Sequence, residues 1–210
     1  MTANPGQLAA LVDRVRGGSA GAVDVGTRND LVTWLERLQE WNARIDLTAA
    51  RSPEELVDLM LADAIALAPH VPHGARLVDV GTGAGAPGLA IALLRPDLRV
   101  TLVEPLGKRA AFLRTVVGAV SRADVAIERA RGEAAGGRRA WDVAVSRATL
   151  PPPEWLDLAV TLSAPGGSVW VLLAKDDAPA SPRAEMAQDL SYTWPLTGAT
   201  RRAVRYLVHS

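Results

Sequence analysis

The sequence predicts an α/β fold: a mostly parallel seven-stranded sheet with helices on both faces and a helical extension at its N-terminus. Three observations carry that expectation. The hydrophobic period changes from helical to strand-like at about residue 75. Beyond it, short apolar runs alternate with helical patterns, as they do where parallel strands are joined by helical crossovers. A glycine-rich turn then closes the first apolar run, the place where such sheets bind ligands.

Residues 1–70 read as a helical region and 71–210 as the sheet-containing domain. Leu8, Leu11, Val12 and Val15 recur at spacings of three and four, and so do Leu31, Trp34, Leu35, Leu38 and Trp41. Gly17, Gly18 and Gly21 separate these two helices. Ser52-Pro53-Glu54-Glu55 is a helix start, with a cap residue, proline at the first position and acids in the first turn. Leu56, Leu59, Met60 and Ala64 share one face of the helix that follows. Strands are expected at 76–80, 99–103, 124–127, 141–145 and 168–174, and helices at 86–94, 108–120 and 153–162. Pro165-Gly166-Gly167 reads as the turn before the fifth strand. The tail, 192–208, holds two β-like runs joined by Thr197-Gly198-Ala199, a closing hairpin. Trp141 and Trp170 fall in strand patterns and are expected in the core. Trp34 and Trp41 share a helix face and are expected to pack the helical region onto the sheet.

Composition excludes several classes. Lysine plus arginine number 23 and aspartate plus glutamate 23, so the formal net charge is zero. A neutral sum neither requires nor excludes a nucleic-acid partner, because a local basic face can sit within it. Lys108 and Lys175 are the only lysines; the remaining cations are arginines, suited to bidentate contact with phosphate or carboxylate. The scattered Arg114, Arg138, Arg139, Arg201, Arg202 and Arg205 are candidates for a basic rim. There is no cysteine, which excludes disulfides, thiolate metal sites and a cysteine nucleophile. No metal-ligand spacing is present, so no metal is expected. The N-terminus lacks a basic segment followed by an apolar run, and the longest apolar stretches, 89–94 and 169–174, are too short to span a bilayer. A soluble cytoplasmic protein without a membrane partner is expected.

The first strand runs into Asp79-Val80-Gly81-Thr82-Gly83-Ala84-Gly85. Glycines let the backbone turn sharply and approach a ligand, and the helix that follows adds free amides at its N-terminus. Glu104 ends the second strand, roughly twenty residues on, the separation expected of an acid that binds ribose hydroxyls. Gly81, Gly83 and Gly85 alternate behind the acid Asp79, instead of following the G-x-G-x-x-G spacing of dinucleotide sites. A carboxylate there repels a pyrophosphate and attracts an ammonium or sulfonium, which favours S-adenosylmethionine over NAD. Asp79, Gly81, Thr82, Gly83, Gly85 and Glu104 are therefore candidate cofactor residues. Arg147, at the carboxyl edge of the sheet, is a candidate for the methionine carboxylate or a substrate phosphate, the alternative being a surface arginine paired with Asp142. Lys108 and Arg109 begin a helix beside the pocket. His70, His73 and His209, the only histidines, stand in no recognisable catalytic setting.

These residues resemble a bacterial family, the small-subunit ribosomal RNA methyltransferase G, also called glucose-inhibited division protein B. The likeness is carried by Leu38-Gln39-Glu40-Trp41-Asn42 with Ile45-Asp46-Leu47-Thr48-Ala49, and by the glycine loop continued through Ala86-Pro87-Gly88. It extends over Leu106-Gly107-Lys108-Arg109, Ser146-Arg147-Ala148 and Pro165-Gly166-Gly167. The resemblance implies a Rossmann-like class I methyltransferase that moves a methyl group from S-adenosylmethionine to N7 of a guanine in 16S ribosomal RNA, with the small ribosomal subunit as partner. It also implies cofactor contacts at Gly81, Ala86, Glu104, Gly132, Glu133 and Arg147. Guanine N7 is a neutral lone pair, so no proton leaves and no general base is needed; Arg147 is assigned to positioning. Lys108, Arg109 and Lys175 are candidates for RNA contact. The chain departs from the family where Leu59-Met60-Leu61 replace an arginine-histidine-phenylalanine run, where Asp176-Asp177 follow Lys175, and where Asp46 replaces asparagine. Those departures keep two alternatives open: a small-molecule methyltransferase with the helical region as a lid, and a non-catalytic protein that binds S-adenosylmethionine.

Overall fold

The computed structural model describes residues 3–17, 25–135, 138–174 and 176–209. Lys175, Gly18 and the Gly136-Gly137 pair lie outside them. Three helices come first, α1 (Pro5–Val15), α2 (Val25–Asn42) and α3 (Pro53–Leu67). The start of α3 is built as its sequence requires. Ser52 Oγ accepts the Glu55 amide at 3.1 Å, Pro53 takes the first turn, and Glu55 accepts the Arg51 amide at 2.8 Å. These bonds satisfy donors that the first turn of a helix leaves open.

The sheet then forms by alternation: β1 (Arg76–Val80), α4 (Gly88–Leu94), β2 (Arg99–Val103), α5 (Gly107–Val117), β3 (Ala126–Glu128), α6 (Gly132–Ala135), β4 (Trp141–Ser146), α7 (Pro152–Leu162), β5 (Ser163–Leu173), β6 (Ala184–Thr193) and β7 (Thr200–Val208). The strand order is β3-β2-β1-β4-β5-β7-β6. The first five strands are parallel, and β7 joins β5 antiparallel with β6 at the outer edge. The order reverses between β1 and β4, leaving a crevice at the carboxyl ends of those two strands.

Pleating divides the core. Leu77, Val100, Leu102, Val143 and Val145 face the cluster shared with α1 to α5. Their neighbours Val78, Val103, Ala144 and Val169 face the cluster shared with α7. β1 and β4 are buried almost throughout, hence their continuous apolar reading. Two elements differ from expectation. β5 starts at Ser163, taking Pro165-Gly166-Gly167 into the strand as an irregularity beside β4. β6 begins well before the expected hairpin; most of its residues are exposed on an edge strand, which removes the apolar alternation that announces a strand.

The helical region grips the sheet through polar as well as apolar contacts. Trp34 is buried, but on the glycine loop: its Nε1 donates to Ala84 O at 3.0 Å, and its ring stands against Gly85. Trp41 packs edge-on to Phe112 of α5, with centroids 5.7 Å apart. Both tryptophans join the cluster that lies against the sheet, Trp34 at the glycine loop and Trp41 beside α5. Two buried acids of α3 reach the hairpin between β6 and β7. Asp58 accepts the amides of Leu196 and Thr197 and the Thr197 hydroxyl, and Asp63 accepts from Tyr192 and Trp194. No described helix is long and apolar enough to cross a membrane.

Candidate functional site

The crevice at the strand reversal opens into a cavity of about 570 Å³. Gly81, Thr82, Gly83, Ala84 and Ala86 form its floor, Glu104 and Leu106 one side, and Arg147, Ala148 and Thr149 the other. Leu47, Thr48, Leu59 and Met60 close it from the helical region.

The loop is folded from within. Asp79 is fully buried; its Oδ2 accepts the Thr82 hydroxyl at 2.6 Å and the Gly88 amide at 2.7 Å. It lies under the cavity and not in its lining, so the expected direct attraction for a cationic ligand is corrected: Asp79 braces the turn. Gly85 is corrected likewise. Its φ of +110° serves a tight approach to Leu89 and Trp34, outside the cavity lining. Gly81 and Gly83 also take positive φ, where side chains are rare. A Cβ on Gly81 would stand 2.2 Å from the Thr149 hydroxyl oxygen, whereas a Cβ on Gly83 would enter open space.

Four of the five loop amides from Gly81 to Gly85 are spent inside the protein. Those of Gly81 and Thr82 donate to Val103 O, that of Gly83 to Glu104 and that of Gly85 to Thr82 O. Little is left to cradle a pyrophosphate, which needs a nest of free N–H groups. Glu104 is buried at the end of β2. Its Oε2 accepts the Gly83 amide at 3.0 Å and its Oε1 the Leu106 amide at 2.8 Å. Each carboxylate oxygen keeps a lone pair, and the pair faces the cavity as an acceptor for two adjacent hydroxyls. The donor set fits a nucleoside with a vicinal diol and no phosphate, so the residues present fit S-adenosylmethionine.

Burial pushes the Asp79 carboxyl up to about 6, against the opposing bonds from Thr82 and Gly88. A carboxyl raised on folding binds its proton more tightly in the folded state. Its contribution to stability is complete below the unfolded value near 4 and is lost as pH rises through about 6. The stability of Asp79→Asn relative to the native chain should therefore be about 3 kcal/mol more favourable at pH 7.5 than at pH 4, the free energy by which folding tightens the hold of this carboxyl on its proton. Urea denaturation of both proteins at the two pH values measures it; a difference that does not change with pH removes the buried acid from the account.

Arg147 follows β4 and is held in place. It donates to Leu59 O and, at 3.2 Å, to Asp63 Oδ2. Asp142, the alternative partner, pairs instead with Arg76 at 2.7 Å. Asp63 Oδ1 accepts the Tyr192 hydroxyl at 2.9 Å and Trp194 Nε1 at 2.8 Å, so three elements converge on one buried carboxylate. Burial and the Asp63 charge drive the Tyr192 phenol far above its usual range, which keeps it a neutral donor. Beyond Arg147 lies a second cavity of about 310 Å³, lined by the loop after β4, the end of β5 and the tips of β6 and β7. Leu59, Arg147 and Ala148 line both cavities and separate them.

The remaining candidates divide. Arg109 stands on the rim of the cofactor-sized cavity and Lys108 with it on a neighbouring depression beside Arg44. Lys175 lies outside the described residues. Gly132 is buried against Val80, Glu133 is exposed at the start of α6, and neither joins the cavity lining. The expected basic rim is broken up: Arg138 pairs with Glu128 and Arg202 with Asp189. Sequence reasoning missed Asp63 as the partner of Arg147 and missed the second cavity. An acid inside the apolar α3 was the one available signal. Among the described residues no group of three or more His, Asp or Glu is placed to hold a metal ion.

Comparison with known proteins adds to this geometry. A family described as rRNA small subunit methyltransferase G matches residues 27–192. The ribosomal RNA small subunit methyltransferase G of Myxococcus xanthus is 36% identical over 196 residues, covering 88% of this chain and 89% of that protein. Its counterpart in Anaeromyxobacter dehalogenans is 35% identical over 194 residues, covering 88% and 90%. Among solved structures, P. horikoshii TYW2 in complex with MeSAdo superimposes with a TM-score of 0.57 at 15% identity, covering 80% of this chain and 66% of that one. MtNAS in complex with MTA and tNA gives 0.58 at 17%, covering 89% and 74%. At such identities the two structures speak for the fold alone.

Proposed function

The chain belongs to the rRNA small subunit methyltransferase G family, and from that premise we propose that it methylates N7 of a guanine in the 16S RNA of the small ribosomal subunit. The methyl donor is S-adenosylmethionine, which supplies an electrophilic methyl carried on a sulfonium. The single observation that carries the assignment is the cavity at the strand reversal. There the buried Glu104 carboxylate and an open position at Gly83 meet a loop with almost no amide left for phosphate.

The residues take separate roles. Glu104 accepts the ribose hydroxyls. Gly81, Thr82, Gly83 and Ala86 shape the floor on which the nucleoside lies, and Asp79 and Gly85 hold that floor from behind. Arg147, fixed by Asp63 and Leu59 O, stands where donor and acceptor meet and orients them. Orientation and exclusion of water suffice, because N7 sheds no proton on methylation. Arg109 and Lys108 at the rim receive RNA phosphates, and the helical region of residues 1–70 forms the wall over the nucleoside. Gly132 and Glu133 are left with a part in binding only if the α6 turn moves toward the cavity. The compartment of such a substrate is the cytoplasm.

Mass spectrometry of 16S RNA from a deletion strain tests the reading. One 7-methylguanine should vanish and should return with the native gene. Full persistence of the modification would overturn the reading and favour a small-molecule acceptor, which apolar Leu59 and Met60 in the cavity wall suit.

A further inference from the structure

The second cavity has the place, size and lining of a pocket for a single flat base. Along the carboxyl edge of the sheet the strands run β1, β4, β5, β7. The nucleoside floor follows β1, Arg147 follows β4, Asp176 follows β5 and Arg201 opens β7. Strands β4 and β5 are neighbours, so Arg147 and Asp176 follow adjacent strands and line the same cavity. The cavity, about 310 Å³, lies at the small end of the range of about 300–1,000 Å³ for small-ligand sites.

Its polar groups are unevenly committed. Arg147, Tyr192 and Trp194 are tied to Asp63. Arg201 Cζ stands over the Trp194 ring, 4.0 Å from its centroid, and Arg201 lines the cavity, where a guanidinium can stack on a base. Asp176 is exposed, lines the cavity, and receives no hydrogen bond from a described residue. It is the cavity's uncommitted anion.

We infer that Asp176 reads the acceptor base as guanine, its carboxylate accepting N1–H and the N2 amine while the Trp194–Arg201 layer stacks on the ring. The inference rests on the acceptor being a 16S RNA guanine. The orientation follows from the chemistry. N7 must face Arg147 and the nucleoside cavity, which turns the opposite, Watson–Crick edge toward β5 and Asp176. A carboxylate with two oxygens matches the two adjacent donors of guanine. It repels the N1 lone pair of adenine and finds only one donor edge on inosine, which lacks the 2-amine. When N7 takes the methyl through its own lone pair, the carbon–sulfur bond of the sulfonium would break with its electron pair returning to sulfur; no proton leaves, and the positive charge passes from the departing thioether to the purine ring. The carboxylate therefore holds the base more tightly as the reaction proceeds, and its removal should lower kcat as well as raise KM.

The test uses small subunits reconstituted on full-length 16S RNA assembled by splinted ligation, with guanosine or inosine at the nucleotide mapped by mass spectrometry. The native enzyme should prefer guanosine by roughly 10- to 100-fold in kcat/KM and, with the demethylated cofactor present, bind the guanosine RNA more tightly. Asp176→Asn should lose activity on guanosine RNA, lose the preference, and retain native affinity for S-adenosylhomocysteine. An Asp176→Asn enzyme that keeps both full activity and the native preference overturns the role of Asp176 and leaves the acceptor assignment standing. A native enzyme that binds S-adenosylhomocysteine and methylates neither RNA overturns the acceptor assignment and this inference together. Asp176 is exposed, so the variant's fold is not at stake.

Discussion

Gly83→Ala should fold and should lose at least 100-fold in affinity for S-adenosylmethionine, about 3 kcal/mol. The two halves of that expectation have separate causes. At a φ of +60° an alanine pays for a left-handed backbone, a cost of about 1–2 kcal/mol that a domain of this size absorbs. The nearest heavy atom to the added methyl is Gly81 O at 4.0 Å, so nothing in the protein is displaced. What the methyl does enter is the cavity, beside the amide that Glu104 uses to hold its carboxylate in place. Gly81→Ala is the contrast. Its Cβ would meet Thr149 atoms at 2.2, 2.5 and 2.9 Å, and that side chain is itself hydrogen-bonded to Val80 O. That variant should lose stability and ligand together. Isothermal calorimetry with S-adenosylhomocysteine and parallel urea denaturation separate the cases. Native affinity in a folded Gly83→Ala protein would falsify the placement of the nucleoside on this loop.

The contrast between these glycines also marks where the sequence speaks and where it falls silent. β1 and β2 begin and end as expected because both are internal strands whose apolar runs stop at a turn. β3 starts two residues later than its pattern suggests, since it sits at the sheet edge with partly exposed residues. The Ser52-Pro53 start of α3 is legible because a cap is local chemistry. The glycine loop and Glu104 are legible for the same reason: spacing along the chain carries the turn and the acid that faces it. Whether Gly83 or Gly85 turns toward the ligand is not, because that depends on Trp34, far away in the chain. The Arg147–Asp63 pair spans 84 positions, and no local pattern links them. The second cavity is further from view, since its lining is gathered from α3, the loop after β4, the end of β5 and the hairpin. Its existence depends on the antiparallel closure by β7, whose partner β6 hides its own pattern on an exposed edge.

Arg147 is where these long-range contacts meet the chemistry, and its removal should cost methyl transfer more than any other single change outside the loop. Arg147→Lys should keep the fold and lose roughly 100-fold in kcat: Leu59 O and Asp63 Oδ2 are both bonded from the one nitrogen Nη1, and an ammonium in that place leaves none of the other N–H donors of the planar guanidinium for orientation. Arg147→Met should also destabilise the protein by about 3 kcal/mol, since it strands the Asp63 charge in a buried position with only two neutral donors. A purely structural arginine and a positioning one then predict different things for the double variant. Asp63→Asn with Arg147→Met removes both charges together, so most of the lost stability should return. If Arg147 serves only the fold, methyl transfer returns with it. The geometry says otherwise, because Arg147 lines both cavities and nothing else among the described residues bridges them with a fixed cation. The double variant should be stable and, at saturating cofactor, should remain about as slow in single-turnover methylation of unmethylated small subunits as Arg147→Met alone. Recovery of the native rate alongside stability would reduce Arg147 to a strut between α3 and the sheet.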